Sequence, residues 1–369
     1  MRPDEMERCQ LSRSWLQAAA IAAAGAAALL PLDHAAVEMW FSTGLYPRVQ
    51  RMLTPLSNTL PVAWLDLLAV AALIWLAWRW RLALRRTGER VWPRVRRAAT
   101  ATLAAAALAY LAFLGLWGLN YRRLPMSDRL FVDRQSPSTD EVVRLGHDVV
   151  ARLNGVYAAA AREPAEAAWR NPSLRAAFET VQQQLADGPP AVPGRLKQTL
   201  FGQFFRWTSV DGMVNPFGLE VLANPDLLPV ERPFVAAHEW AHLAGYADES
   251  EANFVGWLTC VRADPASQYS GWLYLYWQIA GGLPARERER VSHGLQKGPR
   301  ADLEAIVARL RRGDLPFLRR ASWMMYDSYL KANRVEVGVR SYGDVVTLIL
   351  RARFEDGWRP VRRVSRPAP

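Results

Sequence analysis

Two histidines stand four residues apart at His238 and His242, with Glu239 directly after the first. On a helix, positions four apart share a face one turn apart. Two imidazoles placed that way can hold one Zn2+ at about 2.0–2.1 Å each. Glu239 can then act as general base on a zinc-bound water and pass the proton to a leaving amine, while the ion polarises the carbonyl. The chemistry is hydrolysis of a peptide bond. Phe234, Val235 and Leu243 give the same segment a core-facing side. The strand-like stretch Gly218 to Asn224 precedes it, where an edge strand can receive substrate.

A site of this type needs a third protein ligand and leaves a fourth position open. The run Asp248-Glu249-Ser250-Glu251-Ala252-Asn253 supplies the candidates. Glu249 and Asn253 share a helical face, so Glu249 is expected as the ligand and Asn253 as a group that orients it. Glu251 points about 200° away from Glu249 on an ideal helix and stands as the alternative ligand. An oxyanion donor is also required. Tyr326 and Tyr329 lie in a polar-aromatic stretch and are the candidates. Tyr246 and Tyr269 are nearer in sequence but are equally suited to a core. His147 and His293 are read as non-ligands.

These residues must be carried by elements, and the chain divides sharply. Its 369 residues are 51% apolar, an ordinary fraction, yet the first third holds three long apolar runs, about 15–32, 61–80 and 100–118. Each is near the ~20 residues that cross a bilayer as a helix. The acids Asp4, Glu5 and Glu7 weaken a basic leader before the first run, which is therefore expected as an uncleaved anchor. Arginines crowd the second loop from Arg79 to Arg97 against one acid, Glu89. In the first loop Arg48 and Arg51 are offset by Asp33 and Glu38. Positive loops stay in the cytoplasm, so the N-terminus is expected inside and everything after the third run outside. Asp66, near the outer end of the second run, is read as structural.

The net charge of +11 follows this topology, and no nucleic-acid motif accompanies it. Cys9 and Cys260 fall on opposite sides of the membrane in this reading, which excludes a disulfide framework. Residues 119–369 read as an extracytoplasmic domain. Helices are expected over about 139–153, 172–187, 195–207, 232–246 and 249–262. A buried helix follows at 271–279, then helices at 285–296, 300–312 and 316–334, with an apolar segment at 340–352. Short strands and turns fill 208–229.

His-Glu-x-x-His followed by Glu249-x-x-Ala252-Asn253 resembles the gluzincin group of metallopeptidases, and that resemblance implies Glu249 as the ligand. The turn Leu243 to Ala247 is shorter than in that group, which keeps Glu251 in view. Trp117-Gly118-Leu119-Asn120-Tyr121, Glu251-Ala252-Asn253-Phe254, Tyr326 to Lys331 and Ser341-Tyr342-Gly343 are similar to the bacterial membrane family called domain of unknown function 3810. The similarity runs through nearly the whole chain. It implies a mainly α membrane protein, with three N-terminal transmembrane helices and a mostly helical α+β zincin-like domain. The function expected is a zinc-dependent peptidase of the bacterial inner membrane, acting on peptide or protein substrates at the periplasmic or extracellular face. The motif segment is too short and polar to span, so the substrates expected are soluble or juxtamembrane segments. The alternative is a zincin-fold sensor or binding module that signals through the spans without proteolysis.

Overall fold

Inside lipid a backbone must satisfy its own polar groups, and the long apolar runs accordingly form helices. The computed structural model describes residues 3–85, 91–163, 168–186, 188–332 and 344–363. Helix α1 covers Pro3–Leu29. A π-helical segment, Val37–Leu45, leads into α2, Tyr46–Thr59. Then come α3, Trp64–Arg85, and α4, Val91–Leu116. By length and apolarity α3 and α4 can each cross a membrane. The pair Ser14–Leu29 and His34–Thr59, bent by 111°, qualifies only when taken together, as a broken span or a re-entrant segment. The described chain thus has two such helices, or up to three with the bent pair.

The segment expected as an outer loop between the first two runs is therefore helical, and it packs into the domain that follows. Val37, Phe41 and Tyr46 belong to the same buried cluster as Trp117, Phe178, Trp240 and Trp257. One core runs across residue 118, the boundary expected between anchor and domain.

After α4 come α5, Thr139–Ala160, and α6, Pro172–Leu185. Ser138 caps α5 at its N-terminus with a capping box to Glu141. Strand β1, Leu196–Lys197, and the short α7, Gly202–Thr208, occupy the stretch expected as a single helix. Strands β2, Gly212–Asn215, and β3, Glu220–Ala223, complete a three-stranded sheet in the order β1-β3-β2. β3 runs parallel to β1 and antiparallel to β2, with Val214 opposite Val221. The strand near 218–224 is therefore central, and β2 lies at the edge.

The helices α8, Arg232–Leu243, α9, Glu249–Cys260, and α10, Pro265–Gly282, form the centre of the domain. They are followed by α11, Ala285–Ser292, α12, Lys297–Gly313, α13, Pro316–Ala332, and α14, Asp344–Arg351. A small hairpin, β4 Phe354–Glu355 and β5 Arg359–Pro360, closes the described chain. The predicted helix at 271–279 is the middle of the longer α10, which Asp264 caps at its N-terminus.

The sheet is fastened to α3 by charge. Glu220 is fully buried, and its carboxylate accepts from Trp64 N and Leu65 N at 2.9 and 2.8 Å, from Asn215, and from Lys197 Nζ at 2.8 Å. It thereby caps the N-terminus of α3, where the helix dipole favours an anion. Asp66, in the first turn of α3, accepts from Thr199 Oγ1 at 2.6 Å and Leu200 N at 3.0 Å. This acid serves as an anchor between helix and domain.

Candidate metal centre

α8 carries His238, Glu239 and His242 because its other faces are apolar. Trp240 and Ala241 are fully buried, and Trp240 Nε1 donates to Gly194 O at 2.7 Å. The helix stops in a Schellman turn. Gly245 N donates to His242 O and Tyr246 N to Ala241 O, with Gly245 at φ +85°. A left-handed residue at this position favours glycine. The turn reverses the chain so sharply that Tyr246 O comes back onto His242 Nδ1 at 2.7 Å. That contact places the proton on Nδ1 and leaves the Nε2 lone pair for a ligand.

Three residues from the N-terminal third brace this turn. Trp117 Nε1 donates to His242 O at 2.9 Å, Tyr46 Oη to Leu243 O at 2.8 Å, and Arg123 Nη1 to Gly245 O at 2.8 Å. They satisfy the carbonyls that a helix C-terminus leaves open. The short turn between the two motifs is thus a formed structural device.

Asp248 caps α9 by accepting from Ser250 N and Glu251 N, which sets Glu249 on the first helical turn facing α8. The Nε2 atoms of His238 and His242 lie 3.1 Å apart, and Glu249 Oε2 lies 3.4 and 3.6 Å from them. A tetrahedral ion holding each donor at about 2.0–2.1 Å needs them about 3.3–3.4 Å apart. At 3.1 Å the two Nε2 atoms share a proton in a hydrogen bond or stand on either side of a cation. The donor set and its spacing therefore fit a metal ion, and this is the group of histidine and acidic side chains among the described residues that does so. Burial opposes a charge on His242, but the Glu249 carboxylate outweighs it and holds the imidazole at about 9. Burial likewise opposes ionisation of Glu249, and His242 together with His238 brings it well below the usual carboxylate range.

Glu239 is buried against the edge strand, with its Oε2 free of hydrogen bonds. A Cβ at Gly212 would fall 2.5 Å from Glu239 Oε1, so a larger residue at this strand position would displace the Glu239 carboxylate. Burial pushes the Glu239 carboxyl above its usual value, against the pull of the two histidines. Glu251 turns away from the cluster. It accepts from Met126 N and from Arg129 Nη2, the latter at 3.3 Å. Asn253 is buried one turn after Glu249, with its Nδ2 unpartnered.

Tyr246 is a core residue under the guanidinium of Arg123, 4.8 Å from its ring centroid, and Tyr269 Oη donates to Asp302 at 2.6 Å. The backbone of Tyr326 and Tyr329 lies in α13, and their side chains fall outside the described residues. His147 and His293 are exposed and remote from the cluster.

Sequence reasoning missed Tyr274 in α10. Its ring stacks on Phe234 at 3.6 Å, and Phe234 lies one turn before His238 with the two rings 6.0 Å apart. The Tyr274 hydroxyl is buried without a partner, and burial followed by the Glu249 and Asp211 charges pushes its pKa up. It therefore stays protonated, able to donate a hydrogen bond. The available signal was a tyrosine inside an apolar helix, whose hydroxyl demands a partner. Asp211, at the start of β2, is held by Arg309 at 2.9 Å. A depression lined by Tyr157, Asn171, Arg232 and Tyr269 shares no residue with the cluster.

Fold and site define a mostly helical, membrane-type protein in which two histidines and a glutamate converge on one point. Residues 41–350 match the family described as Protein of unknown function (DUF3810), and the chain belongs to that family. No curated protein and no solved structure matches it.

Proposed function

We propose that this protein is a membrane-anchored, zinc-dependent peptidase whose site faces the extracytoplasmic side. The observation that carries the reading is the triangle of His238 Nε2, His242 Nε2 and Glu249 Oε2, with the Glu239 carboxylate buried next to it. When bound there, zinc would polarise a carbonyl and make water a better nucleophile. Glu239, its proton affinity raised by burial, takes up a proton and returns it to the leaving group. The Tyr274 hydroxyl, kept protonated, supplies a hydrogen bond where negative charge develops. β2 pairs only with β3 among the described residues, so its outer edge is open to an extended chain passing over Gly212. The sidedness rests on the arginines between α3 and α4.

The test is zinc content per chain of detergent-purified protein, together with hydrolysis of a quenched-fluorescent peptide library. Wild type should carry about one zinc, His238→Ala little, and Glu239→Gln as much as wild type with hydrolysis reduced about 10²–10⁴-fold. A wild-type chain that takes up no zinc after reloading would overturn the reading. Hydrolysis that survives Glu239→Gln would remove Glu239 from the mechanism.

A further inference from the structure

Helix α2 is amphipathic the wrong way round for a helix in water. Its inward face is polar: Gln50 and Thr54 are 0% exposed and Ser57 is 1% exposed. Gln50 exchanges hydrogen bonds with Val192 at 2.8 and 2.9 Å, Thr54 Oγ1 donates to Leu219 O at 2.8 Å, and Ser57 Oγ accepts from Lys197 at 2.9 Å. Its outward side carries an apolar stripe, Met52 and Leu56, 65% and 56% exposed, which Leu45, 51% exposed, continues just before the helix. A surface helix in water buries its apolar stripe and exposes its polar one. The reversal is the pattern of a helix whose outer solvent is hydrocarbon.

Three further observations say what covers this face. The segment leaves α1 at 111° after a short break, a bend that fits a turn from a span into the plane of the membrane. Arg48, one turn before Met52, and Arg51 beside it are exposed on the same side, with stems long enough to carry their charge to the headgroups, as arginines of an interfacial helix do. Leu200, 75% exposed, is tied by its own N–H to Asp66 at 3.0 Å, in the first turn of α3. The same level of the molecule therefore presents apolar side chains from two separate elements, continuous with the end of a lipid-exposed helix.

We propose that α2 and the Leu200 loop form a floor sunk in the lipid leaflet on the domain's side, so that the domain rests in the bilayer surface. The floor bears directly on the site. Tyr46, at the start of α2, holds the end of α8 through Leu243 O, and Thr54 holds Leu219 ahead of β3. About one helix diameter, ~10 Å, separates lipid from the groups that brace the histidine helix. Substrates reaching Glu239 would then be chain segments emerging at the membrane surface. That consequence rests on the peptidase reading, whereas the position of the floor does not.

The experiment uses the full chain with Cys9→Ser, since Cys260 is 0% exposed. Nitroxide labels are placed at Met52→Cys, Leu56→Cys and Leu200→Cys, with Glu289→Cys on exposed α11 as the aqueous reference. The chain is reconstituted in nanodiscs of phosphatidylethanolamine and phosphatidylglycerol. Collision with oxygen and with a water-soluble nickel chelate is read by electron paramagnetic resonance. The expected result is an oxygen-to-nickel ratio several-fold higher at the three floor positions than at Glu289. Nickel access equal to that at Glu289 would overturn the proposal. Protection from both reagents would also overturn it, because protein, such as a second copy, would then cover the face. As an independent check, Met52→Glu with Leu56→Glu should lower the melting transition in nanodiscs, and an unchanged transition would count against the floor. Neither readout depends on hydrolysis, so failure of the floor and failure of the peptidase reading are distinguishable.

Discussion

Two buried carboxylates stand two residues apart on α9 and face different regions. Glu249 points into the cluster on α8, where its neighbours are the Nε2 atoms of His238 and His242. Glu251 points toward the segment after α4, where Met126 N and Arg129 meet it. Burial raises the proton affinity of both. At Glu251 it prevails over Arg129 and leaves the pKa high, whereas at Glu249 the two imidazoles reverse it. A carboxylate met by an arginine and a backbone N–H is answered by the chain itself, as Glu220 is by Lys197. A carboxylate that shares its space with two imidazole nitrogens 3.1 Å apart belongs to a set whose spacing fits a cation. Their positions along α9 are alike, and the groups opposite decide what each one does.

The widest separation between the two regions should appear in metal binding and activity. Glu249→Gln is expected to weaken zinc binding by about 100-fold or more, since even outer partners of a ligand cost about 10–100-fold. Hydrolysis should fall with it. Glu251→Gln is expected to keep both within about twofold, the scatter of exposed or non-ligating changes. Equilibrium zinc titration against a chelator of known affinity measures this. Equal losses in the two variants would erase the distinction. The next largest effect is expected from Tyr274→Phe, which removes only a hydroxyl. Zinc content should be unchanged and kcat lower by about 10–100-fold, below the usual loss for a dedicated oxyanion donor because the ion shares that charge. An unchanged kcat would return Tyr274 to the core.

The histidine pair and Glu239 were legible because helical periodicity alone brings positions 238 and 242 together. The apolar runs were legible because lipid allows a backbone few alternatives. Glu249 against Glu251 was not decided by spacing, since the choice depends on what stands opposite α9. Arg129 and Met126 are more than a hundred residues away in sequence. Helix α2 was hidden for the converse reason. Gln50, Thr54 and Asn58 read as a polar loop until the carbonyls of Val192, Leu219 and Pro193 are seen to accept from them. The edge strand was misplaced because β2 and β3 are both short and apolar, and only pairing with β1 makes β3 central. Tyr274 depends on stacking against Phe234, forty residues earlier, which no local pattern encodes.

Stability should separate the regions in the same sense. Glu251→Gln keeps an oxygen for Met126 N and leaves Arg129 to Glu38, 3.7 Å away, a loss of about 1 kcal/mol. The metal-free form of Glu249→Gln should lose more, because the two imidazoles favour its ionised form in the folded chain. Thermal melts of the metal-free variants give the comparison. A Glu251→Gln protein as stable as wild type would show that Glu38 alone satisfies Arg129.

The smallest effect comes from a third carboxylate in a first helical turn, Glu141 of α5, which meets Arg351 at 2.8 Å but lies in reach of water. The Arg351 hydrogen bond, aided by Ser138, lowers its pKa to about 2. A depressed carboxyl contributes stability above its unfolded value, near 4.5, and that contribution fades as pH falls through the folded value. The melting difference between wild type and Arg351→Ala should therefore be constant above about pH 5 and shrink as the pH approaches 2. Because water and salt screen this pair, the difference should also narrow in about 1 M salt, where the Debye length is about 3 Å. The Glu251→Gln difference, protected by burial, should persist there. If salt reduced both differences alike, exposure would not be what separates the Arg351 pair from the Arg129 pair. The contrast between Glu249 and Glu251 would then have to rest on the metal alone.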